Sequence, residues 1–249
     1  MTGAGTHVIL ITGAARRIGA AIAELFHERG YNVIIHCHRS IADATALQNS
    51  LNAKRPGSAS CLQADLCDSA AVVQLAQQAL AWQGRIDVLI NNASSFYPTP
   101  LDSTTVAQWN DLLGSNLQGA FFLSQELAQT LRETRGCIIN MTDMHADAGL
   151  RNYPVYSIAK AGVKMMTKAL ARELAPHVRV NGISPGAILW PEQEGSEESQ
   201  QRILHSIALG RQGSPADIAE TAWFLAVTAH YMTGQTIRVD GGRTVDNSL

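Results

Sequence analysis

Short apolar runs alternate with longer segments of helical period along almost the whole chain, and this alternation limits the fold more than any other feature. Val8–Ile11 runs into Thr12-Gly13 and reads as a buried strand, followed by a helix from Arg17 to Arg29 that Gly30 closes. Further strands are predicted at Val33–His36, Ser60–Gln63, Val88–Asn91, Cys137–Met141, Val178–Ile183 and Ile237–Val239. Helices are predicted between them: Ala42–Ala53, Ser69–Trp82 with Ser69 as its cap, Val106–Arg132 as one long helix, and Val155–Leu174 ended by Pro176. Strands this continuously apolar are buried on both faces. Alternation with helices then implies an α/β fold, a single doubly wound parallel sheet with helices on both sides.

The length of 249 residues suits one such domain spanning 1–249, and 46% hydrophobic content supports a large core. A formal net charge of -2 suggests neither a nucleic acid nor an anionic membrane as partner. No apolar run approaches the roughly 18 residues of a membrane span, and MTGAGTHVILITGA lacks the pattern of a signal peptide. The four cysteines form no C-x-x-C pair and read as reduced core or near-core residues of a cytoplasmic protein. Glu192–Arg202 is the one polar, acid-rich interruption. It reads either as a flap over the substrate, within a covering segment of about 187–210, or as a solvated loop.

Thr12-Gly13-Ala14-Ala15-Arg16-Arg17-Ile18-Gly19 joins the first strand to the first helix. In that setting a glycine turn brings a pyrophosphate onto the N–H groups of a helix terminus, which makes the fold Rossmann-like. The spacing is not the usual G-x-G-x-x-G. After the second strand, where an NAD enzyme usually carries an acid, stand His38, Arg39 and Ser40. They suit the 2′-phosphate of NADP, whose planar bidentate partner is arginine, so the cofactor expected is NADPH/NADP. Asp43 is expected on the helix surface. Asp65-Leu66 follows the third strand and can receive adenine, while Asn92-Ala93 follows the fourth and can line the nicotinamide side.

Tyr156 and Lys160 lie one helical turn apart on one face, a phenol beside a cation. Thirteen residues before the tyrosine, where a carbonyl-gripping hydroxyl is expected, stands Asp143, which argues against ordinary ketones. A carboxylate there opposes ionisation of the phenol and can relay a proton to it; an Asx-type turn is the bland alternative. Asn116, within the long helix, satisfies local backbone or holds a water beside the lysine. Phe96 and Tyr97 follow the fourth strand and offer aromatic faces to a flat substrate, or pack in the core. Trp190 and His145 are weaker candidates for the same cavity, and no residues stand at metal-ligand spacing.

TGAARRIG, DL, NNA, Asn116, Y-x-x-x-K, VRVNGISPG and VDGG together resemble the short-chain dehydrogenase/reductase family over nearly the whole chain. HCHRS, NNASSFYPTPL, the aspartate of NMTDM and PVYSIAKAG are similar to pteridine reductases within it. The resemblance implies cofactor contacts at Gly13, Arg17, Ile18, Gly19, His38, Arg39, Ser40, Asp65, Leu66, Asn92, Ala93, Ser94, Tyr156, Lys160, Pro185 and Gly186. It implies a catalytic group of Asp143, Tyr156, Lys160 and Asn116, and a pterin held by Arg17, Ser94, Asp143, Tyr156 and Phe96, the last stacked on the ring. It further implies a homotetramer paired through the helices at Val106–Arg132 and Val155–Leu174, and a segment after Pro100-Leu101 shorter than in trypanosomatid members. The expected substrate is a pterin or folate. A carbonyl reductase acting on a 3-oxoacyl or sugar ketone, and a non-catalytic NADP-binding sensor or scaffold, are the alternatives. Thr142 would favour the ketone reading if it turned inward.

Overall fold

The computed structural model of the chain describes residues 6–189 and 197–245. Seven strands form one parallel sheet in the order β3-β2-β1-β4-β5-β6-β7. They are β1 (Val8–Ile11), β2 (Asn32–Cys37), β3 (Ala59–Gln63), β4 (Val88–Asn91), β5 (Cys137–Met141), β6 (Arg179–Pro185) and β7 (Thr236–Val239). The doubly wound α/β expectation holds, and the reason is visible in β1. Ile9 and Ile11 point into one core with Ile22 and Phe26 of α1 (Arg17–Glu28), Leu47 and Leu51 of α2 (Ile41–Lys54), and Ile218. Val8 and Leu10 point into the other with Val72 and Leu75 of α3 (Ser69–Gln83), Leu123, Leu131 and Leu174. A strand with a core on each side has no polar face to show, hence the unbroken apolar runs.

Two expectations are corrected. The cap of α3 is Asp68, whose carboxylate accepts from the N–H groups of Ala70 (2.8 Å) and Ala71; Ser69 is already helical. The long helix is segmented: α4 (Val106–Leu113), a π-helical turn Gly114–Gln118, α5 (Gly119–Glu126), a break at Leu127, and α6 (Ala128–Thr134). The glycines bounding the π turn let α3's approach loop pack closely, since a Cβ at Gly119 would lie 2.6 Å from the Leu66 carbonyl oxygen. After α7 (Pro154–Leu174) come two unanticipated helices: α8 (Glu197–His205), over residues read in part as a flap or loop, and α9 (Pro215–Trp223), opened by a Ser214/Asp217 capping box with Pro215 in the first turn.

At the N-terminal end of the sheet Asp87, almost fully buried, accepts from the Val8 N–H (2.8 Å), from Arg85 (2.6 and 3.0 Å) and from His7 (3.1 Å). Burial alone would raise its pKa, but these donors outweigh burial and hold the carboxyl below the usual range. Asp87→Ala is therefore expected to cost about 2 kcal/mol at pH 7 in urea unfolding, because it strands the Val8 N–H and the arginine. The contribution is present above the unfolded carboxylate value of about 3.9 and is lost as pH falls through the lowered folded value. The gap between wild type and variant should close only under strongly acid conditions.

Candidate active site

The strand C-termini converge where the sheet order reverses, between β1 and β4, the usual place for a ligand in such a sheet. The loops there are locked to each other. Thr12 Oγ1 accepts from the N–H groups of Asn92 (2.9 Å) and Ala93 (3.0 Å), while the Asn92 amide donates to the carbonyls of Thr12 (2.8 Å) and Gly13 (3.0 Å). Gly13 has φ +61°, and a Cβ there would lie 2.9 Å from the Ala93 backbone. Arg16, at the N-cap of α1, makes no side-chain cap bond and the first turn holds no acid, so the open N–H groups suit an anion.

A cleft of about 1090 Å³ starts at this turn, passes His38, Arg39 and Ser40, then Asp65 and Leu66, and reaches Ser94 and Phe96. Twelve of the expected cofactor residues line it, together with Phe96: Gly13, Arg17, Ile18, Gly19, His38, Arg39, Ser40, Asp65, Leu66, Asn92, Ala93 and Ser94. Arg39 and Arg17 are exposed and make no hydrogen bond among the described residues. His38 Nε2 is 3.7 Å from Asp65. Arg16, unassigned from sequence, donates to Ser40 Oγ and pairs at 3.3 Å with Asp43, which stands exposed on α2 as expected. Its signal was its place in the glycine turn, but only the fold brings it to Ser40. Pro185 and Gly186 sit beyond the cleft at the end of β6, with the Gly186 N–H bonded to the Val239 carbonyl (3.0 Å).

Tyr156 and Lys160 do not line that cleft; they are buried on α7, with Tyr156 against Phe96 at the cleft's end. The phenol donates to Asp143 Oδ2 at 2.9 Å, and Asp143 Oδ1 accepts from the His145 N–H at 2.7 Å. The carboxylate thus makes the local turn and also reaches the phenol; the two readings of Asp143 coexist. Burial, then the charge of Asp143 and its hydrogen bond, push the Tyr156 phenol well above its ordinary value, while the Ser94 hydroxyl acts in the opposite direction. Lys160 Nζ donates to the Met141 carbonyl (3.0 Å) and lies 5.7 Å from the centre of the tyrosine ring, so its nearest partner is the strand, not the phenol oxygen. Burial brings its pKa down to about 8, against the opposing pull of Asp143.

The Asn116 side chain, in the π turn, is spent on the loop after β4. It accepts from Ser94 Oγ (2.6 Å) and donates to the carbonyls of Ser95 and Leu112 (3.0 Å each). Phe96 is 52% exposed, edge-on to Tyr156 (4.8 Å, 79°) and stacked on Tyr153 (4.5 Å, 7°). Tyr153 was not anticipated, because nothing in its local sequence distinguishes it from a residue that merely precedes Pro154. Tyr97 also lines the cleft, and its hydroxyl donates to Asp111 (2.7 Å). Thr142 does not turn inward: its hydroxyl is buried and donates to the Ile183 carbonyl (3.0 Å). His145 is half-buried, and burial lowers its pKa. Asp147 is engaged by Lys164 and Arg238 (2.7 Å), and no group of three possible metal ligands occurs among the described residues. Trp190 and the first part of Glu192–Arg202 lie outside the described residues. Burial pushes the thiols of Cys37, Cys67 and Cys137 up to about 11, as befits packing residues.

Residues 13–244 match a family described as enoyl-(acyl carrier protein) reductase. The chain belongs to the short-chain dehydrogenase/reductase family. Among short-chain dehydrogenase/reductase relatives, pteridine reductase 1 of Leishmania tarentolae is 38% identical, covering 94% of this chain and 95% of that protein. The alignment runs over 277 positions, more than this chain's 249 residues, so the Leishmania protein carries segments this chain lacks. A 3-oxoacyl-(acyl-carrier-protein) reductase of Staphylococcus aureus is 37% identical (95% and 98% covered), and one of Staphylococcus epidermidis is also 37% identical (94% and 97%). Identities this similar do not choose between a pterin and an acyl thioester. The chain is an oxidoreductase of this family. No helix among the described residues is long and apolar enough to cross a membrane.

Proposed function

We propose that the chain is a pteridine reductase that reduces a 7,8-dihydropterin to the tetrahydropterin with NADPH, and that dihydrofolate and oxidised pterins are secondary substrates. The observation that carries this is the 2.9 Å hydrogen bond between the Tyr156 phenol and Asp143. A ketone reductase needs donors, not a carboxylate, facing the developing alkoxide. The Thr142 hydroxyl, on which a ketone reading would rely, is committed to β6, and the Ser94 hydroxyl donates to Asn116.

The donors present fit NADPH. The open start of α1 suits the pyrophosphate, and Arg39 with the Arg16–Ser40 pair suits the 2′-phosphate. When bound, the cofactor supplies a hydride to the substrate carbon. Tyr156, kept protonated by burial and by Asp143, gives its proton to the ring nitrogen, which completes reduction of C=N. Asp143, half-exposed, takes up a proton from water and returns it to the phenolate. Lys160 holds positive charge beneath the tyrosine, and Asn116 fixes Ser94 and Ser95 at the cleft wall. The exposed face of Phe96 offers the pterin a stacking surface, with Tyr153 stiffening the ring from behind. Arg17 and Ser94 would hold the pterin's polar edge, and the segment around 187–210 would cover it.

Assembly as a homotetramer is part of this proposal, supported by Phe121, Phe122, Ile158 and Met165, which stand exposed on α5 and α7. A panel following NADPH absorbance with dihydrobiopterin, dihydrofolate and an acetoacetyl thioester tests the substrate. Dihydrobiopterin is expected to turn over at least about 100-fold faster in kcat/KM than the thioester, the scale set by a carboxylate where the ketone needs a donor. Turnover with the thioester alone would overturn the assignment in favour of a carbonyl reductase, and tight NADPH binding with no turnover would favour a sensor.

A further inference from the structure

His36, the fifth residue of β2, is 1% exposed and bears on the cofactor cleft from beneath. Its ring bridges two segments that the chain otherwise keeps apart. Nδ1 is 3.2 Å from the Gly13 N–H, 23 residues away, and Nε2 is 3.2 Å from the Ala64 carbonyl oxygen, 28 residues away. The Gly13 amide can only donate and the Ala64 carbonyl can only accept. The ring must therefore leave Nδ1 bare and carry its proton on Nε2, which is the neutral form with a single tautomer. Burial agrees, lowering the imidazole's pKa to about 4. The main chain adds a third tie, since the His36 carbonyl accepts from the Ala14 N–H at 2.9 Å.

We infer that His36 is a positioning residue for the dinucleotide, a neutral brace that sets the distance between the glycine turn and the loop carrying Asp65 and Leu66. Asn92 holds the Gly13 carbonyl from the β4 side, and His36 holds the Gly13 N–H from the β2 side. The turn at Gly13, with φ +61°, is thereby fixed on both flanks. A ligand that spans turn and loop meets them at one preset separation, and the affinity gained is that of preorganisation. The role rests on the NADPH reading and acts through Gly13 and Ala64, without touching the ligand.

Two variants separate the bonds. In His36→Asn the amide oxygen falls near the position of Nδ1, keeping an acceptor for Gly13 and losing the donor to Ala64. In His36→Gln the amide nitrogen reaches the position of Nε2, keeping the donor and losing the acceptor. Each is expected to raise the NADPH Kd, read by titration calorimetry on folded protein, about 10-fold, as one buried hydrogen bond is worth. Nitrogen-15 spectra of wild-type protein without ligand should show a bare Nδ1 and a protonated Nε2 at pH 7. A protonated Nδ1, or both variants folded and binding NADPH within twofold of wild type, would overturn the brace. Failure of wild type itself to bind NADPH would instead overturn the cofactor reading, and the brace with it.

Discussion

Asp143→Asn is expected to lower dihydrobiopterin turnover at pH 7 about 100-fold, the lower end of what a positioned acid–base group contributes. The substitution is nearly isosteric. Its amide oxygen can still accept from the His145 N–H, so the short turn Met144–Ala146 should survive and the fold with it. What disappears is the charge beside the phenol and the group that returns its proton. The pH profile gives a second readout. In wild type the alkaline limb of kcat/KM should fall near the value of about 8 to which burial brings Lys160. Asp143 raises that value, so removing its charge should move the limb to lower pH. The phenol, freed of the carboxylate's field, should also ionise more easily. Wild-type turnover with an unmoved limb would take the carboxylate out of the mechanism and return the substrate to an unspecified carbonyl.

Much of this arrangement was legible in the sequence, for physical reasons that differ from element to element. Val8–Ile11, Val88–Asn91 and Cys137–Met141 were read to the residue because a strand with a core on both faces leaves a continuous apolar signal with polar ends. The long helix was read without its breaks because its apolar period runs on through the π turn. Gly114 and Gly119, in the middle of a helical pattern, were the available sign, and they are there for Cys67 and Leu66 to approach. The helix at Pro215–Trp223 had an equally local sign in Ser214-Pro215-Ala216-Asp217. In the site, spacing placed Tyr156 and Lys160 on one face, and position after a strand placed Arg39 and Asp65. Tyr153, Arg16 and His36 were out of reach because each is defined by a partner far along the chain: Phe96, Ser40, and Gly13 with Ala64. The commitment of Thr142 to β6 was equally invisible, although it weighs heavily on the choice of substrate.

Arg17→Gly should make the protein more stable and less active at once. Arg17 opens α1 at φ +58°, in the left-handed region, where a side chain costs about 1 kcal/mol relative to glycine. Nothing in the fold offsets that cost: the side chain is exposed and makes no hydrogen bond among the described residues. Relief of the strain should raise Tm by about 3 °C in a chain of this size. The guanidinium lines the cleft between the glycine turn and Ser94, where cofactor phosphate and the pterin's polar edge would meet. Its loss should reduce kcat/KM for dihydrobiopterin about 100-fold, as expected for charge-assisted bonds to a bound ligand. Arg17→Ala separates the two effects, because alanine keeps the strained backbone and drops the guanidinium. It should match the glycine variant in lost activity and gain nothing in Tm. Full activity in both variants would remove Arg17 from the site, and an unchanged Tm in the glycine variant would show that the left-handed backbone at this turn is held without strain.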